Sequence, residues 1–208
     1  MIDVEYHAMQ QGSVEWHRIR MGCVTASEFA TVLMKGKGGA ESKTRRTYML
    51  KLAGEILTGE LADQIQTDHM LRGQMMEDEA RDYYAMREDV DLERIGFARA
   101  RHGKGFVGAS PDSLVVGAPG LVEIKTRLPH LQLGVLLTGK IPDEHYAQVQ
   151  GQLWVTGREW CDYVSYWPRL KPLVARVHRD EQYISTLSAA VEAFLDELDH
   201  VVETVRAM

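Results

Sequence analysis

The C-terminal segment carries the clearest pattern. Across Glu181–Val205, Ile184, Leu187, Val191, Phe194, Leu198, Val201 and Val205 recur at helical steps, which predicts an amphipathic helix with one buried stripe. A second helical pattern covers Asp68–Arg87, with Leu71, Met75, Ala80, Tyr83 and Tyr84 apolar. Further helices are expected over Arg45–Leu57 and, behind Pro142-Asp143, over Glu144–Val155. Another is expected over Ala26–Met34, where Thr25 as N-cap and Glu28 three residues on form a capping box. From Ile95 the texture changes. Ile95–Ala100, Phe106–Ala109, Ser113–Val116 and Leu121–Thr126 are short apolar runs. They are separated by His102-Gly103-Lys104, by Ser110-Pro111-Asp112 and by Gly117-Ala118-Pro119-Gly120, and read as hairpin strands. Cys161–Trp167 and Leu173–His178 add two more. Helices at both ends with strands between predict one α/β or α+β domain spanning 1–208.

Composition narrows the function classes. The chain has 208 residues, 45% of them apolar, enough to bury a sizeable core. Its net charge of −6 argues against a polycation that wraps nucleic acid, but not against a local basic track. Such a track exists: Lys35, Lys37, Lys43, Arg45, Arg46 and Lys51 stand against Glu41 alone, behind glycines 36, 38 and 39. It reads either as a solvated loop or as a contact to backbone phosphates. Arg94, Arg99, Arg101 and Lys104 form a second basic stretch. Both stretches are expected to line a DNA path, with the acidic C-terminal helix facing away or packing between subunits. The two cysteines, Cys23 and Cys161, are too few for a disulfide framework, a cysteine zinc module or an iron–sulfur site. No secretory pattern opens the chain, and no apolar run approaches the ~20 residues of a membrane span. The expected location is cytoplasmic.

The sharpest chemical feature is Ser110-Pro111-Asp112, followed ten residues later by Glu123-Ile124-Lys125. Side chains two apart on a strand leave the same face, so Glu123 and Lys125 share one face and Ile124 points into a core. Folding back across the Gly117–Gly120 turn brings Glu123 toward Asp112. Two converging carboxylates form a hard-oxygen site for Mg²⁺ or Mn²⁺, which the Ile124 carbonyl could extend. A neighbouring lysine can orient a water or stabilise charge at phosphorus. The alternative is a turn aspartate beside a surface Glu123–Lys125 pair. Glu77 shares a helix stripe with Gly73, Ala80 and Tyr84; it is either a buried structural glutamate or a third ligand. Independently, Arg20, Gly22 and Ser27 at the capped helix start suit a terminal phosphate, the alternative being an ordinary helix cap.

With those residues in place, the sequence resembles the lambda-exonuclease (YqaJ-type) family of viral recombination nucleases, within the PD-(D/E)xK superfamily. The matching blocks, in order, begin with Trp16-His17-Arg18-Ile19-Arg20-Met21-Gly22 and Thr25-Ala26-Ser27-Glu28. Gly73 with Glu77 and Ala80-Arg81 follows, then Ser110-Pro111-Asp112 and Glu123-Ile124-Lys125. Ala147-Gln148-Val149-Gln150 with Trp154-Val155-Thr156, and the tail Arg179-Asp180-Glu181-Gln182-Tyr183, complete the series. The resemblance implies a restriction-endonuclease-like core, a central mixed β-sheet flanked by helices. It implies metal ligation by Asp112, Glu123 and the Ile124 carbonyl with help from Glu77, and a water positioned by Lys125. Arg20, Ser27, Ser110 and Gln148 would hold the 5′-phosphate of a DNA end. It further implies a ring-shaped homotrimer, 5′→3′ digestion of one strand of linear duplex to leave 3′ overhangs, and a single-strand-annealing recombinase as partner in a bacterial cytoplasm. A non-catalytic end-binding scaffold and a PD-(D/E)xK endonuclease are the competing expectations.

Overall fold

The computed structural model describes residues 3–61 and 68–208, the side chains of 68–75 excepted. The chain begins with β1 (Val4–His7), α1 (Val14–Arg20), β2 (Val24–Thr25), a 3-10 turn over Ala26–Glu28 and α2 (Phe29–Leu33). Then come α3 (Lys43–Thr58), α4 (Asp68–Glu88), β3 (Leu92–Glu93), β4 (Phe97–His102), β5 (Gly105–Ala109), β6 (Ser113–Val115) and β7 (Gly120–Thr126). It closes with α5 (Pro129–Thr138), α6 (Asp143–Thr156), β8 (Trp160–Tyr166), β9 (Leu173–His178) and α7 (Glu181–Arg206). No described helix is long and apolar enough to cross a membrane.

The strands form two mixed sheets where one central sheet was expected. The first has the order β1-β4-β5-β2 with β2–β5 parallel; the second has the order β3-β6-β7-β8-β9 with β7–β8 parallel. The break falls at Ser110-Pro111-Asp112, between β5 and β6. Pro111 has no N–H to continue a ladder. At the next residue, the Asp112 N–H donates to the Val122 carbonyl at 3.1 Å and opens the second sheet. The motif aspartate therefore sits at the corner where the chain changes sheets.

Strand β7 runs between two cores. Leu121 joins the larger one, built with Phe29, Met49, Leu153, Tyr163, Leu187 and Phe194 from α2, α3, α6, β8 and α7. Val122 and Ile124 point the other way, into a smaller core with Ala80 and Tyr84 of α4 and Val164 and Tyr166 of β8. The period-two alternation thus places Glu123 on the α6 side and Ile124 under α4. Helix α6 approaches closely because Gly151 faces Phe29; a Cβ there would lie 2.2 Å from the ring.

Three expectations change. The helix over Ala26–Met34 is a 3-10 turn followed by α2, and Thr25 makes no side-chain cap; its hydroxyl lies 3.2 Å from that of Ser27 instead. The acidic α7 does not face away from the basic stretches. Glu197 takes a bidentate pair from Arg45 at 2.7 and 2.8 Å, and Asp199 pairs with Lys104 at 2.9 Å. Opposite charges across a packed helix interface neutralise locally, so these two bases are committed within the chain. Helix α5 escapes the periodicity because Leu131, Leu133 and Leu137 are exposed while Gln132 is fully buried. That amide donates to the carbonyls of Ser165 (3.1 Å) and Lys171 (2.9 Å) and accepts from the Ser165 hydroxyl (2.5 Å), so a polar residue anchors the helix. Leu71, Gly73 and Met75 lie outside the residues with described side chains.

Candidate active site

A single cleft of about 200 Å³ is lined by Arg20, Ser27, Ser110, Asp112, Glu123, Lys125 and Gln148, together with Gln11, Trp16, Thr25, Ala26 and Gln152. Seven of the side chains singled out in the sequence thus converge from α1, the 3-10 turn, the sheet-switch corner, β7 and α6. Ile124 is not among the lining residues; its side chain is buried beneath α4.

Glu123 is the most enclosed of the charged groups here, 2% exposed. Lys125 Nζ lies 2.5 Å from its Oε1, the Gln148 amide donates to the same oxygen at 2.7 Å, and the Gln152 amide donates to Oε2 at 2.6 Å. Gln148 and Gln152 are one helical turn apart on α6 and so reach the carboxylate side by side. Gln152 was not singled out in the sequence. Its spacing from Gln148 was the available signal, since two glutamines at i and i+4 on a helix otherwise buried need a common polar target. The Gln152 Oε1 is buried without a hydrogen-bond partner among the described residues.

Asp112 is fixed by its neighbours in β7: the Ile124 N–H donates to its Oδ2 at 2.5 Å. Burial, then Glu123, then Glu77 push its carboxyl well above the usual carboxylate range. Burial alone would lower the Lys125 ammonium, but Glu123 and Asp112 outweigh it and the net shift is upward. The two carboxylates thus favour the charged form of Lys125.

Glu77 stands across Asp112 in an adjoining cleft of about 530 Å³, with Asp78, Arg81, Arg94 and Trp16. It is ion-paired with Arg81, one helical turn on. Among the described residues, no three His, Cys, Asp or Glu side chains are grouped to hold one metal ion. Glu77 is thus near the carboxylate pair but turned to Arg81.

Arg20 stacks on Trp16 at 3.9 Å and reaches the Ser110 hydroxyl at 3.3 Å. Burial lowers its pKa, yet a guanidinium keeps its charge. Among the described residues no carboxylate pairs with it, so it is a cation in want of an anion. Ser110 serves it from behind. Its hydroxyl donates to the Gly96 carbonyl at 2.9 Å and accepts from Trp16 Nε1 at 3.0 Å and from Arg20. Ser27, exposed at the cleft mouth, keeps its hydroxyl near that of Thr25.

The donor set suits a hard divalent cation: two carboxylates whose repulsion is felt at Asp112, and an amide oxygen in the wall with no partner among the described residues. Residues 15–159 match the model of the YqaJ-like viral recombinase domain. The chain belongs to the YqaJ-like viral recombinase family, that of lambda exonuclease. The alkaline exonuclease LHK-Exo from Laribacter hongkongensis is similar at 34% identity and a TM-score of 0.82, over 94% of this chain and 97% of that one. The same values hold for LHK-Exo in complex with dAMP. A phage-related exonuclease from Haemophilus somnus 129PT, at 15% identity and a TM-score of 0.66, covers 88% of this chain and 96% of its own and shares the fold. No curated protein matches. The YqaJ-like chain thus carries the PD-(D/E)xK architecture with its motif letters in one cleft.

Proposed function

We propose that this protein is a Mg²⁺-dependent 5′→3′ exonuclease that degrades one strand of linear duplex DNA from 5′-phosphorylated ends. The observation that carries this reading is the cleft itself: a half-buried Arg20, with no carboxylate partner among the described residues, stands in the same small space as Asp112, Glu123 and Lys125. A terminal phosphate and a scissile phosphate one nucleotide apart call for such a pairing of an anion site with a carboxylate site.

Arg20 and Ser27 bind the terminal phosphate, with Ser110 and Trp16 keeping the guanidinium in place. Gln148 and Gln152 hold Glu123 in one orientation, and the Ile124 N–H does the same for Asp112. Asp112, Glu123 and the Ile124 carbonyl would hold Mg²⁺ or Mn²⁺, with Glu77 assisting. When bound, the ion polarises the phosphoryl oxygen and lowers the pKa of a water. Lys125, in its charged form, donates to a water or to the developing phosphorane charge. The product is a 5′-mononucleotide and a lengthening 3′ overhang. That product suits a single-strand-annealing recombinase as partner, and a homotrimeric ring would let the enzyme stay on its strand.

The test is digestion of linear duplex labelled at either end, with and without 5′-phosphate, in Mg²⁺ and in EDTA. The expected result is release of 5′-terminal nucleotides only with Mg²⁺ and preferentially from phosphorylated ends. End binding without cleavage in Mg²⁺ or Mn²⁺ would make the protein a scaffold, and internal cuts in circular duplex would make it an endonuclease.

A further inference from the structure

Arg81 is a large cation, 6% exposed, on the α4 face that looks at the carboxylates. Of its four polar contacts, two reach the aspartate corner and two stay on α4. Nε donates to the Ser113 hydroxyl at 3.0 Å, and one terminal nitrogen donates to Asp78 at 2.6 Å. The other terminal nitrogen pairs with Glu77 and lies 3.5 Å from the Asp112 carbonyl. Ser113 in turn donates its hydroxyl to that same carbonyl at 2.6 Å. Arg81 and Ser113 thus brace the Asp112 backbone from α4, while the Ile124 N–H fixes its side chain from β7.

Glu77 is in the opposite position. Its side chain is 30% exposed and it lines the cleft beside Asp112. Arg81 nevertheless holds it, and no third carboxylate is grouped with Asp112 and Glu123 among the described residues. One carboxylate cannot give the same oxygen fully to a guanidinium and to a metal ion.

We infer that Arg81 is a positioning residue with two opposed effects: it braces Asp112 for catalysis and competes with the metal for Glu77. This inference rests on the metal site proposed above. In the metal-free protein Arg81 supplies the positive charge that keeps Glu77 folded against α4. On metal binding Glu77 turns from Arg81 toward the ion, and Arg81 keeps Asp78, Ser113 and the Asp112 carbonyl.

The experiment compares wild type, Arg81→Met, Arg81→Lys and Ser113→Ala. Mn²⁺ binding is read by electron paramagnetic resonance of the free ion without DNA, and kcat is read at saturating Mg²⁺. Arg81→Met frees Glu77 and deletes a nearby cation, so Mn²⁺ should bind about three- to tenfold more tightly. The same variant should lose about tenfold or more in kcat through the loosened Asp112. Arg81→Lys, which keeps the charge but not the fork, should leave Mn²⁺ affinity near wild type and recover only part of kcat. Ser113→Ala should lower kcat with Mn²⁺ affinity unchanged. Weaker or unchanged Mn²⁺ binding in folded Arg81→Met overturns the inference. If Arg81→Met fails to fold, Arg81→Lys decides: wild-type kcat there overturns the brace. Absence of Mn²⁺ binding by the wild type would instead refute the metal site on which the inference stands.

Discussion

Two buried carboxylates on adjacent strands of one sheet show what separates a structural charge from a chemical one. Glu123 on β7 and Asp162 on β8 are each 2% exposed, and they lie on opposite faces of the sheet. Asp162 is fully answered. Arg176 grips it through two bonds of 2.8 Å, and the Tyr84 hydroxyl donates at 2.6 Å. Arg176 itself lies 3.7 Å over the Trp160 ring. Burial and Asp162 push the Tyr84 phenol up, and Asp162 pushes the Arg176 guanidinium up, so both donors keep their protons. Glu123 has as many donors, yet its one cation, Lys125, must also answer Asp112. The Asp162 cluster is closed; the Glu123 cluster shares its lysine with Asp112 and opens to a cleft. Burial of a carboxylate is common to both. Only the open one has the arrangement that the proposed metal site requires.

The largest expected effect sharpens this contrast. Glu123→Gln and Asp112→Asn should each reduce cleavage of end-labelled duplex by about 10³-fold or more, because each removes charge that stabilises the transition state. Circular dichroism should show the fold retained in both. Next is Asp162→Ala, which leaves Arg176 and Tyr84 without their acceptor and should cost about 3 kcal/mol of stability in urea denaturation. Activity per folded molecule should be unchanged. A folded Asp162→Ala protein without nuclease activity would break the comparison.

Arg20→Ala comes third. Loss of one charged hydrogen-bonding group should reduce the preference for 5′-phosphate over 5′-hydroxyl ends about ten- to a hundredfold. Rates on hydroxyl ends should change little. Equal wild-type rates on both ends would remove the phosphate pocket.

Smaller effects follow from pH. The Asp112 carboxyl is raised, so its contribution to stability is complete at low pH and is lost as pH climbs through the raised value. The metal-free protein should therefore melt at a lower temperature as pH rises from the ordinary carboxylate range, and Asp112→Asn should flatten that slope. His145 acts in the opposite sense. Burial, then Lys125 and Arg127, lower its imidazole to about 4. The unfolded chain takes up that proton first, so stability falls as pH drops from about 6.5 toward 4. His145→Gln should reduce this acid-side loss, and thermal melts across that range check both signs.

Much of the fold was legible where one side of an element faces one solvent. The α7 stripe predicted from Ile184 to Val205 is buried as far as Leu198, with Val201 half-buried and Val205 exposed, and β9 matches Leu173–His178 residue for residue. Helix α5 was hidden because its anchor is Gln132, a polar side chain whose role depends on the carbonyls of a distant strand turn. The two-residue strands β2 and β3 were hidden because their pairing partners, not their own letters, make them strands. At the site, Asp112, Glu123 and Lys125 were legible from spacing and Gln152 carried a signal in its step of four from Gln148, while the bracing role of Arg81 appears only once α4 is docked.

The amino-acid order alone determined the local periodicities, the Pro111 corner, the common face of Glu123 and Lys125, and the inward aim of Ile124. These follow from backbone geometry and need no long-range contact. Tertiary structure alone decided that Pro111 divides two sheets, that Arg45 and Lys104 are neutralised by α7, that Glu77 is held by Arg81, and that Asp162 is inert while Glu123 is not. Each of those outcomes depends on which charges meet across packed elements. Coulomb energies and desolvation vary with separation and burial, and neither is written in the spacing of residues along a chain.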